Sequence, residues 1–116
     1  MIFHLALERD WQRALEHGSY EISTRGLTLA EVGFIHASFE HQVAPVATAF
    51  YGDVTEPLVV LVIEPEQLDS PLVVEEVADA GDPFPHIYGP LNPSAVVEVR
   101  RVAVTEAGFR FLDEPS

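Results

Sequence analysis

Five histidines, with no cysteine and no lysine, set the chemistry open to this 116-residue chain. Without Cys there is no thiolate nucleophile and no cysteine-ligated zinc or iron–sulfur site. Without Lys there is no Schiff base and no P-loop lysine. The G-x-G-x-x-G, G-x-S-x-G and H-E-x-x-H patterns are also absent. What remains is imidazole, hydroxyl and carboxylate chemistry. His36 and Ser38 stand two apart in GFIHAS. In a strand they share a face with Phe34, while Ile35 and Ala37 point the other way. A nucleophilic serine would need a histidine partner brought to it by folding, and Ser38, two residues after His36, is the one candidate named. The plain reading makes His36 a satisfied core histidine and Ser38 a helix cap. The functional reading starts from the partners that two polar groups beside a buried strand require, because such partners together make a pocket.

The segment Phe84-Pro85-His86-Ile87-Tyr88-Gly89-Pro90 is the second focus. Two prolines and a glycine restrict the backbone around an imidazole and a phenol, so the segment is either a recognition element or a proline-braced core loop. His4 sits mid-strand among apolar residues, either facing the pocket or bonded to a backbone carbonyl at a sheet edge. His17 and His41, near helix ends, read as surface groups. Glu75 and Glu76 are adjacent in an extended run. Glu76 falls with Leu72 and Val74, and Glu75 with Val73 and Val77. An inward carboxylate is costly unless paired, and alternation alone does not say which face is inward.

These groups must be held by strands and helices that the pattern predicts. Residues 2–6 read as a strand with Phe3, Leu5 and Leu7 on one side and Ile2, His4 and Ala6 on the other. A helix follows over 8–17, with Trp11, Ala14 and Leu15 as its apolar stripe and Gly18 as its stop. Residues 20–22 form a short strand and 33–38 a firmer one. Ser38 then caps a helix whose inner face is Val43, Ala47 and Phe50, and Pro45 either removes one hydrogen bond or makes that helix start late. Residues 58–63 are continuously apolar and predict a central strand covered on both faces. Further strands are expected over 72–77, 86–88 and 95–104, with a loop over 79–85 and a frayed tail at 113–116. The sum is one α+β domain over 1–116, with a small two-sheet, largely antiparallel core and two main helices.

Composition narrows the partners. Nineteen acids against six arginines give a net charge of −13, a field that repels nucleic-acid backbones and anionic membranes. A phosphate-bearing ligand therefore needs local positive groups. The opening residues, MIFHLALERD, carry no basic region and no long apolar core, so no signal peptide is expected and the cytoplasm is the default location. About 47% apolar residues supply a core of ordinary size. The absence of lysine beside abundant Ala, Val, Arg and Glu suggests a GC-rich bacterial genome.

IFHLA near the start, GFIHAS, the helix ending in FYGD, and FPHIYGPL, in that order and spacing, resemble the bacterial family called domain of unknown function 952, from about residue 2 to residue 104. That resemblance implies a fold similar to the ADP-ribosyltransferases, which bind NAD in a cleft between two small sheets. It also implies a triad. His4 matches the first member, His36 or Ser38 the second, and Glu76, ten residues before His86, the carboxylate. The histidine on the middle strand and the FPHIYGPL segment both depart from the usual transferase pattern.

Four functions follow as expectations. The first is a transferase or glycohydrolase acting on NAD or a related ADP-ribose compound. There His36, Glu76 and His86 would be catalytic, with Glu76 facing an oxocarbenium-like centre. His4 and Ser38 would bind substrate, and Tyr88 would stack on a flat ring. The second is a non-catalytic small-metabolite pocket built from the same residues. The third is a His/Glu metal site, for which the sequence shows no close ligand spacing. The fourth is an interaction module with no ligand.

Overall fold

The computed structural model describes residues 1–77 and 81–112. The expected loop over 79–85 lies partly, and the tail at 113–116 wholly, outside them.

Leu58–Ile63, LVVLVI, forms strand β5 at the heart of a four-stranded antiparallel sheet ordered β1-β5-β8-β9, with β1 at Ile2–Leu7, β8 at Val96–Thr105 and β9 at Gly108–Phe111. Both faces of β5 are covered, as its unbroken apolar run requires. Val59, Leu61 and Ile63 enter one core with Trp11, Tyr20, Ile35 and Ile87. Leu58 and Val60 enter a second core with Leu5, Leu7, Val43, Ala47 and Tyr51.

Helix α1, Glu8–His17, lays Trp11 and Ala14 on the first core and stops at Gly18, whose φ of 82° suits a residue without Cβ. Leu15, expected in its apolar stripe, is half exposed. A hairpin follows, β2 at Ile22–Thr24 and β3 at Leu27–Thr28, and then the four-residue helix α2, Leu29–Val32. Thr28 caps α2 through a reciprocal bond with Glu31.

The 33–38 segment is shorter as a strand than expected. Only Ile35–His36, β4, pairs regularly, and Ser38 adds a single bridge to Phe3. Ser38 caps no helix. A 3₁₀ turn over Glu40–Gln42 comes first, held by Phe39 N–H donating to Gln42 Oε1, and α3 runs Val43–Tyr51. Pro45 therefore falls in the first turn of α3, where no helical hydrogen bond is lost. The buried stripe of α3 is Val43, Ala47 and Tyr51 at i, i+4, i+8, whereas Phe50, expected inward, is 64% exposed.

β4 belongs to a second antiparallel sheet, ordered β4-β7-β6, with β6 at Leu72–Glu76 and β7 at Pro83–Ile87. One face of this sheet, Ile35, Ala37, Pro85 and Ile87, is buried toward the large sheet. By alternation the other face carries Phe34, His36, Glu75, Phe84, His86 and Tyr88. The architecture is α+β with largely antiparallel sheets.

Candidate functional site

His36 pairs with His86 across β4 and β7, and His86 with Val73 across β7 and β6. Side chains directly opposite in an antiparallel pair share a face, so the register gathers the imidazoles. Their ring centroids lie 5.2 Å apart and the rings are perpendicular. Phe34 stacks on His86 at 4.1 Å and meets His36 edge-on at 4.8 Å.

His86 is buried, and its Nδ1 lies 2.9 Å from Glu75 Oε1, which also accepts the Tyr88 hydroxyl. The hydrogen bond from Tyr88, and next that from His86, hold the Glu75 carboxyl below its ordinary range. The same carboxylate raises the Tyr88 phenol. An ionised carboxylate only accepts, so the proton of the His86–Glu75 bond sits on Nδ1. His86 Nε2 is buried without a partner among the described residues.

His4 occupies the other side of β4. Its Nδ1 bonds the main-chain carbonyl of His36, and its Nε2 lies 2.8 Å from the Tyr20 hydroxyl. The carbonyl can only accept, so Nδ1 carries the proton and Nε2 accepts from Tyr20. Burial without a counter-ion drives the His4 pKa down to about 4, against the opposing pull of the His36 carbonyl. Burial likewise raises the Tyr20 phenol. His36 is half-buried, and its pKa is lowered by desolvation and then by the nearby His86.

A cleft of about 800 Å³ opens between the small sheet, the β2–β3 hairpin and α3. Its polar lining is His4, Thr24, Arg25, His36, Ser38 and Tyr51, and Phe50 and Phe84 contribute to its apolar wall. Tyr51 ties three elements together at this point. Its oxygen receives the Arg25 N–H at 3.2 Å, and its hydroxyl donates to Leu5 O at 3.3 Å. Burial raises its phenol above the ordinary value. The hairpin is further fixed by Ser23, whose hydroxyl donates to Phe34 O. Arg25 projects from the hairpin turn and pairs with Asp53. The lining contains no carboxylate among the described residues.

The sequence-predicted residues thus separate. His4, His36 and Ser38 line one cleft, His86 packs against His36 on the same sheet face, and Tyr88 lies at the exposed end of that cluster. Glu76 does not join them. It follows the alternation onto the opposite face and is exposed, and the carboxylate that meets His86 is Glu75. His17 and His41 are both exposed. Tyr20, Thr24, Arg25 and Tyr51 were not singled out by sequence reasoning. Parity in β6 offered the one available signal for Glu75, since it marks Glu75 and Glu76 as facing opposite ways. No group of three or more His, Asp or Glu is placed to hold a metal ion among the described residues. No helix there is long and apolar enough to cross a membrane.

The sequence profile of the family described as protein of unknown function DUF952 matches residues 5–99. The X-ray structure of protein CC0527 from Caulobacter crescentus is similar with a TM-score of 0.77 and 29% identity, covering 92% of this chain and 90% of that one. A double-methionine variant of the same Caulobacter protein matches equally well in TM-score, 0.77, at 28% identity and the same coverage. No curated protein matches the chain.

Proposed function

The chain belongs to the DUF952 family of proteins of unknown function, and from its own cleft we propose that it binds a small organic ligand with a flat ring and an anionic group, NAD or a related ADP-ribose compound, on an ADP-ribosyltransferase-like frame. One observation carries this reading. In a chain with 19 acids and 6 arginines, the lining of a cleft of about 800 Å³ includes an arginine, two histidines and hydroxyl groups but, among the described residues, no carboxylate. The volume lies in the range of small-molecule sites, and the exclusion of acids is what a ligand bearing phosphate needs. Phe50 and Phe84 supply apolar surface for a ring. His36, Ser38 and Thr24 supply polar contacts that orient it.

Two-dimensional ¹H–¹⁵N spectra test this reading with NAD and ADP-ribose as probes. Saturable shifts are expected at Thr24, Arg25, His36 and Ser38, together with a rise in melting temperature. A ligand at one hundred times its dissociation constant stabilises by about 2.7 kcal/mol. No shift at millimolar probe ends the proposal.

Binding without turnover is the form the geometry favours. A glycohydrolase or transferase needs a carboxylate at the oxocarbenium-like centre, but Glu75 is engaged by His86 and Tyr88, and Glu76 points to solvent. Nicotinamide release from NAD above the uncatalysed rate, abolished by His36→Ala, would instead establish the enzyme.

A further inference from the structure

The two ring nitrogens of His86 are in opposite situations. Nδ1 donates to Glu75, while Nε2 is buried with no hydrogen-bond partner among the described residues. Such atoms are rare in folded proteins, and each calls for a physical reason. With one proton on the ring, held on Nδ1 by Glu75, the second nitrogen presents a lone pair at Nε2. That lone pair requires a donor. Phe34, stacked on the ring at 4.1 Å, has no N–H to give, and the Tyr88 hydroxyl is committed to Glu75. Among the described residues the other ring against His86 is His36, at 5.2 Å between centroids. Two imidazoles joined by one hydrogen bond of ordinary length have centroids roughly 5 Å apart. No hydrogen bond joins the two rings among the described residues, so a turn of the His36 ring would be needed to make one.

We propose that Glu75, His86 and His36 form a relay that sets the tautomer of His36, so that His36 donates to His86 Nε2 and turns its own second nitrogen to the cleft as a lone pair. The consequence rests on the reading of the cleft as a small-molecule site and deepens it. The ligand group that meets His36 is a hydrogen-bond donor, a hydroxyl or a carboxamide N–H, and not a carboxylate or phosphate oxygen. The anionic part of the ligand lies instead toward Arg25, where it competes with Asp53 for the guanidinium. Glu75 and His86 are positioning residues, and of these three only His36 touches the ligand.

The tautomers can be read without any ligand, by long-range ¹H–¹⁵N spectra of the imidazoles in the full chain. In the wild type His86 is expected to be protonated at Nδ1 only, and His36 to hold a single tautomer. Glu75→Gln, which places an amide where the accept-only carboxylate stood, and His86→Phe, which keeps a ring in the packing, should each turn His36 into a mixture of tautomers. A proton on Nε2 of wild-type His86, or a His36 tautomer unmoved by both substitutions, overturns the relay.

Nicotinamide and nicotinate, which differ in presenting an amide or a carboxylate on the same ring, serve as the ligand probes. The wild type should prefer nicotinamide by at least about tenfold, and His86→Phe should lose that preference. Equal binding of the two probes by the wild type overturns the assignment of His36 as an acceptor. If neither probe nor NAD binds while the tautomers are as expected, the small-molecule reading fails and the relay stands.

Discussion

His4 gives the chain a pH-dependent stability whose size follows from its surroundings. The unfolded chain takes up its proton at the ordinary value of 6.5, and the folded chain at about 4. Between those values the unfolded state binds more protons, so stability falls as pH falls. The loss begins below about pH 6.5 and reaches roughly 3 kcal/mol once the folded-state pKa is passed. By about pH 5 the His4 share is roughly 2 kcal/mol, a large fraction of what an ordinary domain possesses. His36 adds to the slope in the same direction, since its pKa is also lowered. Glu31, Asp53 and Glu75 have carboxyl groups held below their ordinary range. Their contributions are intact above the carboxylate range and are lost only at more acid pH, which leaves pH 5 to 7.5 to the histidines. Urea denaturation of the wild type and His4→Gln across that window is the assay. The glutamine can still donate to the His36 carbonyl and accept from Tyr20, but it does not titrate. It should be less stable than wild type near neutrality and show a clearly smaller loss on acidification. Parallel curves for the two proteins would refute the assignment of a buried, neutral His4.

Two further outcomes follow from single residues. Gly89 has φ +152°, and a Cβ there would stand 2.4 Å from Ser70 Oγ and 2.9 Å from Ser70 Cβ. Gly89→Ala should therefore cost about 2 kcal/mol or more in a melting or urea experiment. The Ser70→Gly background should recover the part due to collision and leave the part due to backbone strain. Tyr51→Phe removes the hydroxyl shared by Leu5 O and Arg25 N. It should cost about 1–2 kcal/mol and speed amide exchange at Arg25, and unchanged exchange there would show that the hairpin is held by other contacts.

The periodic elements were legible because a single local rule governs each. Helix α1 was bounded by its stripe and Gly18, and β5 by an apolar run that only a doubly covered strand tolerates. The side-chain parity of β1 and β6 was also readable. Parity separates Glu75 from Glu76 but says nothing about which one meets His86, because that depends on the β6–β7 register. Phe50 and Tyr51 differ by one residue on α3, and both satisfy an apolar pattern. The choice fell to Tyr51 because its hydroxyl reaches Leu5 and Arg25 while its ring fills the second core. Strand β9 and the β2–β3 hairpin are short and half exposed; β9 is held by pairing with β8, and the hairpin by the Ser23 bond to Phe34 O just before β4. The cleft was the least legible part, since the Thr24, Arg25 and Tyr51 contributions come from three segments brought together by tertiary contact.

The two buried histidines illustrate why one sheet carries structure and the other carries the cleft's chemistry. A polar ring taken out of water is costly unless its nitrogens find partners. On β1, in a sheet covered on both faces, His4 finds two, the His36 carbonyl and Tyr20, and so fastens the large sheet to β4. On β7, in a sheet with one face to the core and the other to the cluster, His86 finds one partner among the described residues and leaves Nε2 open there. A ligand that drew His4 from either partner would forfeit as much as its own hydrogen bond returned. A ligand donor that meets His36 breaks nothing already made and completes a chain of acceptors that begins at Glu75. Binding energy is therefore gained at His36, and substitutions at His4 should register in stability far more than in affinity.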